Sequence, residues 1–417
     1  MKKVCIFLLL SSNHFFGFAQ SGITVQLSSA TNRFDDIFFI DELEGWSVGQ
    51  SKIYHTKNGG TTWTEQLALS GTKYLRSIEF ATNKIGFCGS LDSTLYKTTD
   101  GGETWIDITS TLPKRPKGIC GLNIPDPSTV YGVGKYSGGA CLIKSTDGGN
   151  TWSYTDMTAY ARGLVDVYFF NKTEGFVSGI GNGSDGAVLL YTNDGGITWT
   201  YKMRSLAAGE YGWKIQSPDR VHLYVSIEGM PFLSSRYFYS SNQGATWAVL
   251  KWKDEYFHTQ GIGFINPRTG WIGGDVQTYK TIDGGLSWKL ESPGVPYFDR
   301  FCRINNKTAF FSGGGIFRYD AGTTGTSGGA SVNNIHQLII SPNPTTADII
   351  IEAQFDIPTY AMLNIYSADG KLLSSLLDEY VKDVRTFNYN LSKSPAGTYY
   401  VILKTNEGLI YKKAVKQ

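Results

Sequence analysis

The sequence predicts an all-β protein, a seven-bladed β-propeller followed by a small C-terminal β-sandwich. Three observations carry that prediction. A nine-residue turn closed by tryptophan recurs six times, as His55–Trp63, Lys97–Trp105, Lys144–Trp152, Tyr191–Trp199, Tyr239–Trp247 and Lys280–Trp288. The tryptophans fall 42, 47, 47, 48 and 41 residues apart, a period typical of units that bury their apolar face only by stacking on a neighbour. Between the turns run short apolar alternations of period two bounded by glycine, which read as strands.

Each repeat opens on an alternation such as Ile37-x-Phe39, Ile78-x-Phe80, Val167-x-Phe169 or Ile262-x-Phe264, the inner strand. A glycine-aromatic phrase follows, seen in Gly45-Trp46, Gly86-Phe87, Gly175-Phe176 and Gly270-Trp271. A third run, such as Lys52–Tyr54 or Val188–Leu190, leads into the box, and a fourth strand follows the tryptophan. That order builds the four-stranded blade of a propeller. The seventh unit has Ala309–Gly313 and Ile316–Tyr319 but neither box nor outer strand. Ile23–Leu27 resembles Trp63–Leu67 and is predicted to supply that strand, leaving no ragged edge.

The flanks divide the chain further. Residues 1–19 read as a signal peptide, with Lys2 and Lys3, the apolar run Val4–Leu10 and the small-x-small site Gly17-Phe18-Ala19. That run is too short to span a bilayer as a mature helix, so no transmembrane segment is expected in the mature chain. The propeller is assigned to 20–320 and a Gly/Thr/Ser linker to 321–334. Residues 335–417 form a separate unit with strands at Ile349–Glu352, Met362–Tyr366, Thr386–Tyr389, Gly397–Leu403 and Leu409–Tyr411.

Aromatics at 14%, 49 glycines and charge at 18% with a net of +2 describe a turn-rich β protein and exclude nucleic acid as a partner. A monomer is expected. Four cysteines follow the cleavage site, Cys88, Cys120, Cys141 and Cys302, and read as buried free thiols, with a Cys88–Cys120 bridge as the alternative. His55, His222, His258 and His336 are scattered without metal-ligand spacing, so neither metal nor cofactor is expected.

The box pattern Ser/Thr-x-Asp-x-Gly-x-Thr-Trp resembles the Asp-box of bacterial sialidases, sortilin-type receptors and xyloglucanase-type propellers. With the glycine-aromatic phrase, the repeat is similar to the propeller of photosystem II stability/assembly factors. The resemblance implies a fold more than a function, because the box occurs in enzymes, receptors and assembly factors alike. Chemistry agrees. The carboxylate or amide of Asn58, Asp100, Asp147, Asp194, Asn242 or Asp283 ties its own turn, the glycines take angles other residues resist, and Trp63, Trp105, Trp152, Trp199, Trp247 or Trp288 buries its ring. Asn58 and Asn242 stand where a metal would want carboxylate, which favours a structural role.

The last segment resembles the type A sorting domain of the type IX secretion system. Ser341–Pro344, Leu363–Lys371, Leu391 with Pro395–Ile402 and the basic end Lys412–Lys416 carry the likeness. It implies type IX machinery as a partner of 335–417 and an extracellular or outer-membrane-surface location.

A ligand site is expected on the face away from the boxes, where the loops between second and third strands and the crossovers between blades meet. The longer repeats extend those loops, at Lys135–Ala140, Gly181–Gly186 and Glu228–Ser235. Candidate ligand-binding residues on the crossovers are Tyr74, Arg76, Tyr160, Arg162, Tyr211, Trp213, Tyr256, His258, Tyr297 and Arg300. The alternative is that these aromatics wedge between blades and the arginines solvate the rim. The function expected is a secreted or cell-surface, non-catalytic propeller that binds a glycan or protein, with no catalytic residues assigned. The alternative is a secreted glycoside hydrolase, sialidase-like or xyloglucanase-like. Arg76, Arg162 and Arg300 would be its arginine trio, or Asp35, Asp36, Asp166 and Asp299 the source of its opposed carboxylates.

Overall fold

A computed structural model describes residues 23–28, 33–71, 73–275, 277–292, 294–321, 336–355, 359–367, 372–405 and 408–417. The signal-peptide segment 1–19 and the linker from 322 to 334 lie outside the described residues. Among the described residues, seven four-stranded antiparallel sheets form the larger unit. Blade 1 runs Asp36–Phe39, Gly45–Gly49, Lys52–Thr56, Thr64–Ala68 from axis to rim. Blades 2 to 6 repeat that order within 75–107, 121–156, 163–204, 211–253 and 259–290. Blade 7 takes Arg300–Arg303, Thr308–Ser312 and Gly315–Asp320, and its outer strand is Ile23–Ser28, with Ile23 opposite Tyr319. Inner strands neighbour one another around the ring, and that of blade 7 touches that of blade 1.

The apolar residues collect into one cluster per blade junction, because each sheet is covered on both faces. Four junctions share a single device. Phe39 stacks on Phe310 at 3.6 Å, Phe80 on Trp46 at 3.6 Å, Phe169 on Tyr131 at 3.7 Å and Phe264 on Tyr224 at 3.7 Å, with rings within 14° of parallel. In each pair a phenylalanine from an inner strand meets an aromatic from the second strand of the preceding blade. The box tryptophan of the same blade stands perpendicular to that phenylalanine, as for Phe80 and Trp105 at 5.8 Å and 89°.

The glycine of the glycine-aromatic phrase makes this possible. Gly45, Gly86 and Gly270 pair across the strand with Phe39, Phe80 and Phe264. A Cβ at any of the three would lie 2.5 Å from that ring, so the ring folds flat across the strand only because the glycine is bare. At the junctions of blades 2 and 3 and of blades 4 and 5, the tryptophans Trp152 and Trp247 meet the preceding blade's Phe87 and Phe176 directly, at 5.9 Å and 5.6 Å.

The box is a self-contained hydrogen-bonded turn. In box 2 the buried Thr98 hydroxyl accepts the Gly102 N–H at 2.8 Å and donates to Asp100 Oδ1 at 2.8 Å. Asp100 in turn accepts the Thr104 N–H at 2.9 Å and the Thr104 hydroxyl at 2.6 Å. Gly101 and Gly102 have φ of 79° and 92°, which glycine adopts without a Cβ penalty. The Thr104 hydroxyl bond, the Thr104 N–H and the Thr98 hydroxyl together hold the Asp100 carboxyl down at about 2. In box 1 Asn58 makes the same contacts with the donor reversed, its Nδ2 giving to Thr62 Oγ1 at 2.8 Å. An amide therefore serves as well as a carboxylate.

From His336 on, a three-stranded sheet and a four-stranded sheet share one core that includes Ile349, Ile351, Leu363, Ile365, Val401 and Leu403. Two strands, His336–Ser341 and Leu372–Val381, were not expected from the sequence. The second carries the apolar doublets Leu372-Leu373 and Leu376-Leu377, which break period two, and the pairing with Thr359–Ser367 is interrupted by register shifts. Cys88, Cys120 and Cys141 are free and buried, and Cys302 is free and partly buried.

Three substitutions test these contacts. Phe80→Ala removes the ring between Trp46 and Trp105 and is expected to cost about 3–5 kcal/mol, the usual range for a buried phenylalanine. An unchanged urea midpoint would show that the stack does not hold the junction. Asp100→Asn is expected to leave the midpoint near that of the parent, because Asn58 already fills that role. Thr98→Val strands the Gly102 N–H and is expected to cost about 1–3 kcal/mol, read in the same titration.

Candidate functional site: an axial cavity on the crossover face

Antiparallel blades place the crossovers and the loops between second and third strands at one end of the ring and the boxes at the other. At the crossover end a cavity of about 520 Å³ opens on the axis, lined by Arg33, Asp35, Tyr74, Arg76, Leu91, Tyr136, Tyr211, Trp213, Glu228 and Gln260. Blades 1, 2, 3, 5 and 6 all contribute.

Four charges alternate at its base. Arg76 Nη1 meets Asp35 Oδ1 at 2.5 Å and lies 3.7 Å from Asp299 Oδ1. Arg33 binds Asp299 through both Nε and Nη2, reaches Gln260, and stands 3.4 Å from Asp35. The Tyr74 hydroxyl donates to Asp35 Oδ1 at 3.2 Å. Burial pushes the Asp35 carboxyl up to about 6, with Asp299 adding and Arg76 and Arg33 opposing. Burial works against the Arg76 charge, yet Asp35 and Asp299 outweigh it and its pKa rises.

Above this base Gln260 Nε2 donates to Glu228 at 3.2 Å, and His258 bridges Glu228 at 3.0 Å and Asp275 at 2.9 Å. The hydrogen bond to Glu228, opposed by burial and helped by the Glu228 and Asp275 charges, lifts His258 to about 9. The wall is aromatic. Tyr136 from the loop of blade 3 stands 6.5 Å from Tyr211 and 6.0 Å from Trp213, and Tyr211 is edge-on to Trp213 at 5.8 Å. Arg76 lies 5.7 Å from the Trp213 ring centre.

A second charge group, outside the cavity lining, ties the inner strands together. Arg300 pairs with Asp166 at 2.8 Å and Asp36 at 3.3 Å. Asp36 accepts the Ile78 N–H of blade 2 at 3.0 Å, and Asp166 accepts the Ile215 N–H of blade 5 at 2.9 Å. Asn123 and Gln216 do the same for Phe169 and Phe264. Burial lowers the Lys214 pKa and raises the Glu79 carboxyl to about 8, where Arg300 opposes the rise and Asp36 and Asp166 add to it.

Of the ten candidates, Tyr74, Arg76, Tyr211 and Trp213 line the cavity. His258 reaches it through Glu228, and Arg300 belongs to the second charge group. Tyr160 is held against Tyr201, whose hydroxyl donates to the Tyr160 carbonyl at 2.6 Å. Arg162, Tyr256 and Tyr297 are exposed, and neither they nor Tyr160 lines the cavity. Arg162 being exposed while Arg76 and Arg300 are salt-bridged, the three do not share the cavity as an arginine trio. Sequence reasoning missed Arg33, Leu91, Tyr136, Glu228 and Gln260. Tyr136 and Glu228 lie in the lengthened loops, which were the available signal. Among the described residues no group of three or more His, Cys, Asp or Glu is placed to hold a metal ion, and no helix is long and apolar enough to cross a membrane.

Comparison with known proteins agrees with this layout. Residues 20–134 match the family model of the photosynthesis system II assembly factor YCF48, and residues 340–417 match that of the secretion system C-terminal sorting domain. The chain joins a YCF48-like propeller to a type IX sorting domain. That sorting domain directs it to the cell surface or the extracellular space. No curated protein matches the sequence. Among solved structures, one described as YCF48 bound to D1 peptide is similar at 18% identity and a TM-score of 0.57, over 73% of this chain and 99% of that one. YCF48 from Cyanidioschyzon merolae follows at 17% identity and 0.54, over 72% and 98%. An ancestral GH74 enzyme is similar at 11% identity and 0.50, over 94% of this chain and 63% of that one. These likenesses establish the propeller fold.

The His258 pair predicts a pH dependence. A folded pKa of about 9 against about 6.5 unfolded means the folded state holds the proton more tightly. The resulting stability is fully present below pH 6.5 and is lost as pH rises through 9. The stability difference between parent and His258→Gln is expected to shrink across that window in urea titrations. A difference that stays constant from pH 6 to 9 would show that the ion pair is not made.

Proposed function

We propose that this protein is a secreted or surface-held, non-catalytic propeller that binds a glycan or protein through the axial cavity and its crossover face. The observation that carries the reading is the cavity itself, where parts of five blades converge on one aromatic-walled recess. Convergence of a few polar groups with aromatic walls in one concavity is how binding sites are built. The charges at its base are committed to one another, Asp35 to Arg76 and Asp299 to Arg33, which suits holding a partner more than attacking it. A similar propeller has been solved with a peptide bound, which supports a partner on this scaffold. Tyr74, Arg76, Tyr211 and Trp213 are retained as ligand residues, with Tyr136, Glu228 and Gln260 added. In this reading residues 1–19 are a cleaved signal peptide, 20–320 the propeller, 321–334 the linker and 335–417 the sorting domain.

One observation favours a second reading. Asp35 and Glu228 both line the cavity, and Asp35 is raised to about 6, as a general acid in a glycoside hydrolase would be. The ancestral GH74 enzyme is among the similar folds.

A test separates the two. Arg76 and Trp213 are buried, so the half-exposed Tyr136 and Tyr211 are the positions to change. The full chain is applied to glycan and peptide arrays. Binding that falls about tenfold in both Tyr136→Ala and Tyr211→Ala is expected, whereas undiminished binding in both overturns the cavity assignment. Release of reducing ends from bound polysaccharide, abolished by Asp35→Asn, would establish the hydrolase instead.

A further inference from the structure

The cavity presents an unmet hydrogen-bonding demand. Asp35 is 1% exposed, yet its Oδ2 has no partner among the described residues, although Oδ1 takes both Arg76 and the Tyr74 hydroxyl. A buried acceptor left empty costs about 1–3 kcal/mol, so a ligand that brings a donor recovers it. Trp213 Nε1, on the facing wall, is also buried and without an acceptor. Several tryptophans elsewhere share that state, so Asp35 carries the argument and Trp213 only agrees with it.

The charge pattern then narrows the donor. Two guanidinium groups and two carboxylates at the base neutralise one another in a closed cycle, Arg76 to Asp35 to Arg33 to Asp299 and back to Arg76. At the rim Glu228 is shared by Gln260 and by a His258 that is protonated at neutral pH. A cationic ligand would meet Arg33 and Arg76 and an anionic one would meet Asp35 and Glu228. Neither gains a net field. A neutral group that can both donate and accept suits an open acceptor and an open donor alike, and a hydroxyl is such a group.

The walls point the same way. Tyr136, Tyr211 and Trp213 form an aromatic cluster with centroids 5.8–6.5 Å apart and rings inclined 59–89° to one another, and Tyr136 and Tyr211 keep part of their surface exposed. Aromatic faces beside planar polar groups such as arginine, carboxylate and glutamine suit a molecule with one C–H face and an equatorial fringe of hydroxyls. The volume of about 520 Å³ falls in the range of small-ligand pockets, about 300–1,000 Å³.

We infer that the axial cavity binds the neutral pyranose end of a glycan, with a sugar hydroxyl donating to Asp35 Oδ2 and the ring lying against Tyr136 and Tyr211. This inference rests on the assignment of ligand binding to the cavity, and the experiment keeps the two apart. The full chain is titrated calorimetrically with glucose, galactose, mannose, N-acetylglucosamine and cellobiose, with N-acetylneuraminic acid as the acidic probe and a lysine-containing tripeptide as the cationic one. Single-site binding of a neutral sugar, weakened about tenfold in both Tyr211→Ala and Asp35→Asn, is the expected result. If Asp35→Asn fails to fold, Tyr136→Ala takes its place. No binding of any neutral sugar, or tighter binding of either charged probe, overturns the glycan inference. It leaves the cavity reading standing if the array partner is still lost in Tyr211→Ala. Neutral-sugar binding indifferent to Tyr211→Ala and Tyr136→Ala overturns both.

Discussion

A phenylalanine ring laid flat over a bare glycine is the contact on which the rest of the propeller depends. The glycine removes the side chain that would keep the ring upright, the ring covers the strand, and its outer face meets an aromatic of the preceding blade at van der Waals distance. The box tryptophan then closes on the ring's edge. At four of the seven junctions these residues become one joint, and where the joint recurs it repeats the same contact between blades. The box turn, with its short local hydrogen bonds, keeps the tryptophan at a fixed height. Stacking between blades and bonding within the turn are thus two halves of one device.

Holding inner strands at that angle leaves an axis crowded with backbone. Polar side chains answer it. Asp36, Asn123, Asp166 and Gln216 each take a backbone N–H from the next blade, and the carboxylates among them need Arg300 for balance. The cavity above is therefore built on a floor already required by the ring. Charge at the axis is structural first, and only groups with an open lone pair, Asp35 above all, have something left to offer a ligand.

How much of this could be read from the sequence follows from range. The blade order, the boxes and the strand from Ile23 were legible because each rests on residues within one repeat or on a visible gap in the pattern. The partners of Arg76 were not, since Asp35 and Asp299 come from opposite ends of the propeller and meet only when the ring closes. Trp213 looked like a rim aromatic, but alternation turns it inward, where it is 6% exposed. Tyr160, Arg162, Tyr256 and Tyr297 share the crossovers yet stay outside the cavity, because position on a face does not fix direction. In the C-terminal unit, Leu372–Val381 carries no period-two signal because its leucine doublets do not alternate.

The seventh sheet, built from both ends of the propeller, has a consequence for how the ring closes. Ile23, at the front of the chain, finds its place only against Tyr319. Every loop that could be closed earlier is shorter, and the last one spans nearly the whole propeller, which makes it the slowest contact to form. Until the seventh blade has folded, the first strand lacks its neighbour and the ring stays open. Connectivity thus places the seal of the ring on its longest loop, with the strand Ile23–Ser28 as the closing piece.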